Sequence, residues 1–493
     1  MSNFNWFLDG SIILIYIIGT LLAGIMVRKM IRGVDDYLLA GRKVDIYLGI
    51  ASLAATEFGI VTCMANAELG YKYGFAGTTP GVTLFIAMFI IGKTGFCIKP
   101  LRDRGVITIP EFFESKFGKN VRWASGVVIV LGGLLNMGVF LRMGGDFLTN
   151  VFGLPPGYLE VMMTIILLIV AIYTILGGML SVLVTDYMQF VVMSAGLLFA
   201  TILIFFKFDW SSLVAHLSDH YGRAAFNPFE GNAYGIDRII LDIFVAVASI
   251  LTWQTMITRV LAAKDTRTGQ KIYQATSPFF LVRFIVPAFL GIGAFYYFSQ
   301  TGQLPEKEIL ALPSFLTIVL PTGILGILIA GMLAADMSTN SSYMLAWSSV
   351  IYNDIMEPIH KRKWSEKKAI FTNRVLVASI GLFLLVYGLW YPLKGDLWVY
   401  LQVTATIYLS SMTTILIAAC YWDRANNWGA IGAIIVGCFI PISFLIMQEI
   451  DSTKDLANTI GPYKSAVAAY VLTGIAMVVG TLLKESLHPI KTN

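Results

Sequence analysis

The sequence predicts an all-α protein that crosses a membrane many times as a single transport-sized domain, residues 1–493. Three observations carry that prediction. Apolar residues make up 57% of the chain and charged residues 13%, about half the ~25% usual for soluble domains, and mean hydropathy is +0.74. Apolar runs close to the ~20 residues that span a bilayer recur from end to end. Lys and Arg are concentrated in some connections and nearly absent from others. A length of 493 residues would otherwise suggest about three soluble domains. The net charge of +5 is accounted for by basic connections between spans, so membrane lipid is the expected surrounding and nucleic acid is not an expected partner.

Thirteen spans follow in order. The first, 9–28, is an additional helix: it is too long for a cleaved leader, and no small-residue cleavage site follows it. Arg28, Lys29, Arg32, Arg42 and Lys43 come next. The second span, 46–73, carries Thr56-Glu57-Phe58-Gly59 near its middle. A carboxylate and a glycine at mid-membrane predict a break, and irregular backbone is tolerated there only where protein encloses it. The third, 78–100, contains Gly92-Lys93-Thr94, but Ala87 stands where a phosphate-binding loop needs glycine, and with it goes the usual ATPase signature. Spans 122–148, 157–176 and 179–207 follow, the last two meeting at Gly177-Gly178.

The connection 208–235 carries Arg223 as its one Lys or Arg, and with 300–320 it is expected to cap an outer vestibule. Spans 236–260, 272–299, 322–353, 371–392 and 396–421 come next, then two carboxyl-terminal helices within 428–484, at 428–448 and 464–484. Lys361, Arg362, Lys363, Lys367, Lys368 and Arg374 lie between the ninth and tenth spans. The positive-inside rule therefore puts the amino terminus outside and the carboxyl terminus inside, and an odd span count agrees. Segments 46–207 and 236–421 hold five spans each. Five is odd, so the two halves would run in opposite senses, the arithmetic of an inverted repeat. The four cysteines (Cys63, Cys97, Cys420, Cys438) lack metal-type spacing and read as small hydrophobes. The histidines lie outside the spans.

The ninth span is the most informative. Within Ala335-Asp336-Met337-Ser338-Thr339-Asn340-Ser341-Ser342, residues Ala335, Ser338, Thr339 and Ser342 sit at i, i+3, i+4 and i+7, one helical stripe. Hydroxyls placed there approach the carbonyl one turn back and converge without net charge, a donor set suited to a hard cation. The alternative is close helix packing, where small and hydroxylated residues are equally at home. Asp186, about two turns into an apolar helix, costs about 2.5–3.5 kcal/mol on insertion scales unless partnered, and marks a functional site by default; snorkelling is its bland reading. Glu57 either coordinates a cation, holds a substrate amine, carries a proton, or pairs structurally with Arg142 or Arg283. Arg142 and Asp146, one turn apart, equally pair with each other; Asp242 and Arg283 stay open. Trp253-Gln254 and Tyr400-Leu401-Gln402 set an aromatic face beside an amide, a combination that orients a small polar ligand or serves as an interfacial anchor.

Several stretches together resemble the sodium:solute symporter family, which includes proline, sialic-acid, glucose and choline carriers. They are Asp36-Tyr37-Leu38-Leu39-Ala40-Gly41-Arg42, the Arg104–Phe113 run Arg-Gly-Val-Ile-Thr-Ile-Pro-Glu-Phe-Phe followed by Lys116-Phe117-Gly118, the Gly177–Asp186 run, Arg259–Asp265, the ninth-span stripe, and Arg424 with Gly429-Ala430. The resemblance implies a LeuT-type fold of two inverted five-helix repeats and sodium-driven alternating access. It implies a main sodium site built from carbonyls near Ala54 and Glu57, the carbonyl of Ala335, and the hydroxyls of Ser338 and Thr339. A second sodium site would use Asp186, Ser338, Ser341 and Ser342. Departures fall on the substrate side. Glu57 stands where the choline carrier has a cage tryptophan, although Trp253 matches another wall. Gln402 matches the sugar carriers' glutamine, but its surroundings lack their glycine and proline. Asp336 inside the stripe is unusual.

The resulting expectation is a plasma-membrane sodium symporter, read as a monomer and not an enzyme. It would import a small polar solute (an amino acid, sugar, carboxylate or organic amine), with Glu57, Trp253, Gln254 and Gln402 around the substrate. Rival readings are a proton-coupled symporter using Glu57 or Asp336, a channel, and a transport-inactive sensor or scaffold.

Overall fold

The computed structural model describes residues 3–27, 29, 31, 33–230, 234–359, 364–391 and 396–487. Arg28, Arg32, Lys361, Arg362, Lys363 and two of the histidines, His360 and His488, lie outside the described residues. Of the remaining two, His216 and His220 sit on a short helix between spans, Trp210–Tyr221. The described chain is helical, with one isolated two-residue bridge between Val44 and Ala263.

The long helices run in chain order. They are α1 (Leu8–Val27), α2 (Ile46–Thr56), α3 (Ile60–Tyr73), α4 (Thr79–Thr94), α5 (Lys119–Met137), α6 (Phe140–Val151) and α7 (Leu159–Lys207). After them come α8 (Ile236–Thr252), α9 (Gln254–Ala262), α10 (Thr266–Thr301), α11 (Ile324–Val350), α12 (Glu366–Trp390), α13 (Leu397–Tyr421), α14 (Asn427–Glu449) and α15 (Pro462–Leu487). Among the described residues, eleven stretches are long and apolar enough to cross a membrane. The difference from thirteen has a local cause: residues 60–94 and 156–207 each count once although a glycine turns the backbone within them, Gly74 at φ 59° and ψ −140° in the first and Gly178 in the second. Helix α7, at 49 residues, is more than twice as long as a ~30 Å hydrocarbon core needs. Gly178 divides it, at φ 49° and ψ −146°, and a Cβ there would lie 2.5 Å from the Tyr37 carbonyl oxygen. Only glycine fits that corner.

Both halves open on an interrupted helix. The first break, between α2 and α3, spans Glu57–Gly59, with Gly59 extended at φ −99° and ψ 176°. The second, between α8 and α9, is at Trp253, with φ −69° and ψ 112°. No glycine or proline marks that position, so nothing local in the sequence announced it. The two interrupted elements are tied end to end, because Val44 N–H donates to the Ala262 carbonyl at 3.1 Å and Lys264 N–H donates to that of Val44 at 3.0 Å.

Helix α11 is the buried axis: from Leu328 to Val350 every residue is buried. Glycines let α7 press against it. A Cβ on Gly196 would meet the Ile327 carbonyl at 2.9 Å, and one on Gly331 would meet Met193 Cα at 3.1 Å. The amino end of α11 is capped from a distance. Fully buried Asp9 accepts from Gly323 N–H at 2.7 Å and Gly326 N–H at 2.9 Å, which satisfies two orphan donors and puts a carboxylate at the positive end of the helix dipole.

Candidate functional site

The break after α2 fixes the first cluster. Because the helix stops, Phe58 N–H donates to Ala55 at 3.4 Å, which diverts the ordinary i+4 donor of the Ala54 carbonyl. The Thr56 carbonyl is likewise freed, and the Thr339 hydroxyl donates to it at 2.9 Å. Contact is tight: a Cβ on Gly59 would stand 2.8 Å from Thr339 Oγ1. Ala54 and Ala335 are both completely buried. The Glu57 carbonyl accepts from Arg283 Nη1 at 2.6 Å.

One turn toward the other end of α2 lies a charged cluster. Asp186 Oδ1 accepts from the Ser338 hydroxyl at 2.5 Å, and Oδ2 accepts from that of Ser52 at 2.5 Å. Arg259, on α9, reaches Asp186 Oδ2 at 3.3 Å, Thr56 Oγ1 at 2.6 Å and Ser342 Oγ at 2.5 Å through Nη2. Its Nε donates to Ser52 at 3.2 Å. Ser342 and Thr56 hydroxyls are 2.9 Å apart. Ser341 Oγ instead donates back to the Ser338 carbonyl at 3.0 Å. Thus Asp186, Ser338 and Ser342 share one cluster, while the Ser341 hydroxyl is turned along its own helix. An ion pair, not snorkelling, partners Asp186, which is completely buried.

Arg259, Ser52 and Thr56 complete this cluster, and the sequence alone did not assign them to it. In the sequence Arg259 stands out only within the Arg259–Asp265 run. An arginine inside an apolar stretch, with an unexplained aspartate elsewhere, was the available signal.

A cavity of about 90 Å³ lies among α3, α8, α10, α11 and α13, with α4, α5, α6 and α9 each adding a residue to its wall. Glu57, Trp253 and Gln402 line it, together with Asn136, Arg283 and Tyr343. Gln254 does not: its Nε2 faces Thr258 Oγ1 at 3.4 Å, one turn along α9. Adjacent side chains diverge at the break, so only one of Trp253 and Gln254 faces the space. Trp253 Nε1 donates to the Tyr343 hydroxyl at 2.8 Å, and its ring lies 5.6 Å from that of Tyr408. Gln402 Nε2 donates to Asp242 at 2.7 Å. Glu57 Oε1 accepts from Thr255 at 2.6 Å, and Oε2 lies 3.7 Å from Arg283 Nη1. Arg283, not Arg142, is therefore the partner of Glu57. Arg142 is spent on Asp146 at 3.9 Å and the Gly388 carbonyl at 2.8 Å. Asp336 accepts from Asn340 Nδ2 at 2.9 Å and forms no salt bridge among the described residues.

Against known proteins, the sequence model of the sodium:solute symporter family matches residues 37–437. The chain belongs to that family. This symporter is a multi-pass membrane protein, and Na+-coupled solute symport is the activity its family carries. It is 25% identical over 497 residues to sodium/glucose cotransporter 4 of Danio rerio, covering 92% of this chain and 73% of that one. It is 24% identical over 500 residues to the osmoregulated proline transporter OpuE of Bacillus subtilis (strain 168), covering 96% and 94%. Among solved structures, the substrate-bound outward-open state of a Na+-coupled sialic acid symporter superposes with a TM-score of 0.82 at 20% identity, over 97% of this chain and 98% of that chain. MhsT in complex with L-phenylalanine superposes at 0.52 with 14% identity, covering 89% of this chain and 98% of that one. At these identities the likeness speaks for the fold, a LeuT-like arrangement.

Proposed function

We propose that this symporter imports a small polar organic solute by alternating access, with sodium bound where α2 is interrupted against α11. One sodium would sit among the carbonyls of Ala54, Glu57 and Ala335 and the hydroxyls of Ser338 and Thr339. A second would take Asp186, Ser338, Ser341 and Ser342. The carrying observation is the Thr339 hydroxyl meeting the freed Thr56 carbonyl at 2.9 Å, since it brings the oxygens of two helices to one buried point. A cation of modest size replaces such hydrogen bonds with coordination and ties the two helices together. The same reading keeps thirteen crossings, with the amino terminus outside and the carboxyl terminus inside.

Each sodium moving inward gains about 2.3 kcal/mol per 100 mV, so two would drive accumulation of about a thousandfold before the sodium gradient is added. Binding drives the cycle only through different affinity for the outward and inward states. Relatives named for glucose, proline and myo-inositol support a small polar solute as cargo. Proton coupling is a second reading, favoured by the buried Asp336 with its single amide partner. The test is uptake into proteoliposomes with sodium, lithium or choline as the external cation. Sodium-dependent accumulation is expected. Equal uptake in choline, driven by a pH gradient, would replace sodium with protons.

A further inference from the structure

We infer that the solute is a small zwitterionic amino acid with an apolar side chain, bound between Arg283 and Glu57; this rests on the symport reading above. The cavity walls carry one full charge of each sign. Arg283 and Glu57 are 93% and 95% buried, and their closest charged atoms are 3.7 Å apart, a loose ion pair. Arg283 Nε has no hydrogen-bond partner among the described residues, and neither has Oε1 of the buried Gln402. Arg283 and Gln402, each with hydrogen-bonding capacity to spare, thus line one space beside a carboxylate with spare lone pairs on Oε2.

Burying a charged pair with such geometry is costly unless further hydrogen bonds complete it. A ligand with a carboxylate for Arg283 and an ammonium for Glu57 and Gln402 completes it and leaves the site neutral. The ammonium would also lie near the aromatic wall of Trp253 and Tyr343, which favours a cation. The rest of the lining, including Val61, Leu84, Val245 and Met256, suits an apolar side chain. A polyol supplies no counter-charge, and its ring of hydroxyls would find few free partners: Asn136 Nδ2 is already held by Leu401 O at 2.8 Å and Thr404 Oγ1 at 2.9 Å, and Trp253 Nε1 by Tyr343.

The experiment is a thermal-shift and proteoliposome-uptake series on the wild-type protein with sodium present or replaced by choline. The probes are L-proline, L-valine and L-leucine, their amides, the matching amines and carboxylic acids lacking one charge, glucose and myo-inositol. At least one amino acid should bind and be imported with sodium, and removing either charge should weaken binding about 10- to 100-fold. Arg283→Lys and Glu57→Gln should lose that discrimination. The wild-type series decides even if a variant fails to fold. Sodium-dependent uptake of glucose or myo-inositol with no response to amino acids would overturn the zwitterion assignment and leave symport standing. No sodium-dependent response to any probe would take both down.

Discussion

Replacing Asp186 by asparagine separates a sodium ligand from a structural counter-ion. In the structure this carboxylate is completely buried and serves four donors: Ser52 and Ser338 at 2.5 Å each, Arg259 at 3.3 Å and the Thr56 hydroxyl at 3.5 Å. Asparagine keeps the volume and an acceptor for one hydroxyl, but it strips the guanidinium of its nearest carboxylate. Removing one member of a buried pair costs about 3–5 kcal/mol. That loss would occur whatever the pair is for, so stability alone decides nothing. The informative comparison is a cycle of Asp186→Asn, Arg259→Gln and the double variant, each measured twice. Thermal unfolding in detergent reads the pair, and uptake against sodium concentration reads the ligand.

The double variant should recover most of the stability, because no uncompensated charge remains. Its sodium dependence should not recover. Loss of a charged ligand should raise half-saturating sodium about tenfold or more in both variants that lack the carboxylate, each decade corresponding to about 1.4 kcal/mol. Arg259→Gln alone should lower it, since a tethered cation that now occupies Asp186 and Ser342 has been removed. Wild-type sodium dependence in the double variant would refute the reasoning and return Asp186 to a structural role.

Other substitutions read neighbouring contacts. Thr339→Ala removes the hydroxyl that meets the Thr56 carbonyl and should weaken sodium activation about two- to tenfold, the range of one neutral hydrogen bond; unchanged half-saturation would count against the main site. Gly59→Ala should cost about 1–3 kcal/mol and impair uptake, because its Cβ would press on Thr339 Oγ1 at 2.8 Å. In a Thr339→Ala background the same change should be milder, and equal damage in both backgrounds would disprove that contact. Asp9→Ala should lower thermal stability by about 1–3 kcal/mol through loss of the α11 cap while half-saturating sodium stays put. A shifted sodium dependence there would show that the cap reaches the ion sites.

What the sequence disclosed follows from how local each signal is. The first break was legible because a glycine and a carboxylate at mid-span contradict an ordinary lipid-facing helix. The hydroxyl stripe was legible because helical spacing alone aligns it. The break at Trp253 was not, since it depends on what surrounds the backbone. Arg259 is 73 positions from Asp186 and 83 from Ser342, so their meeting is a property of the packed bundle. That Gln254 turns toward Thr258 and away from the cavity was hidden for a related reason: an aromatic–amide dipeptide says that two chemistries are adjacent, not that both face one space. The capping of α11 by a residue 314 positions earlier lay equally out of reach.

The contrast between the two sides of α11 explains how this fold would couple ion to solute. Toward α7, glycines bring backbones into close apolar packing at Gly196 and Gly331, and such packing has few alternative arrangements of similar energy. Toward α2 and α9, the contacts are a hydroxyl–carbonyl bond and a guanidinium–hydroxyl bond, whose partners can be exchanged for an ion or water at little net cost, and Ser338 adds one hydroxyl–carboxylate bond to Asp186 on the α7 side. In the proposed cycle the interrupted helices, which meet α11 through exchangeable polar contacts, would be the side that moves. Glu57 sits at the junction, with its carbonyl held by Arg283 and its carboxylate on the cavity wall. On the proposed reading, a ligand that draws Arg283 toward itself would loosen the carbonyl, and a cation at the break would draw that carbonyl in. One residue would thus make each event easier after the other, reciprocally as linkage requires.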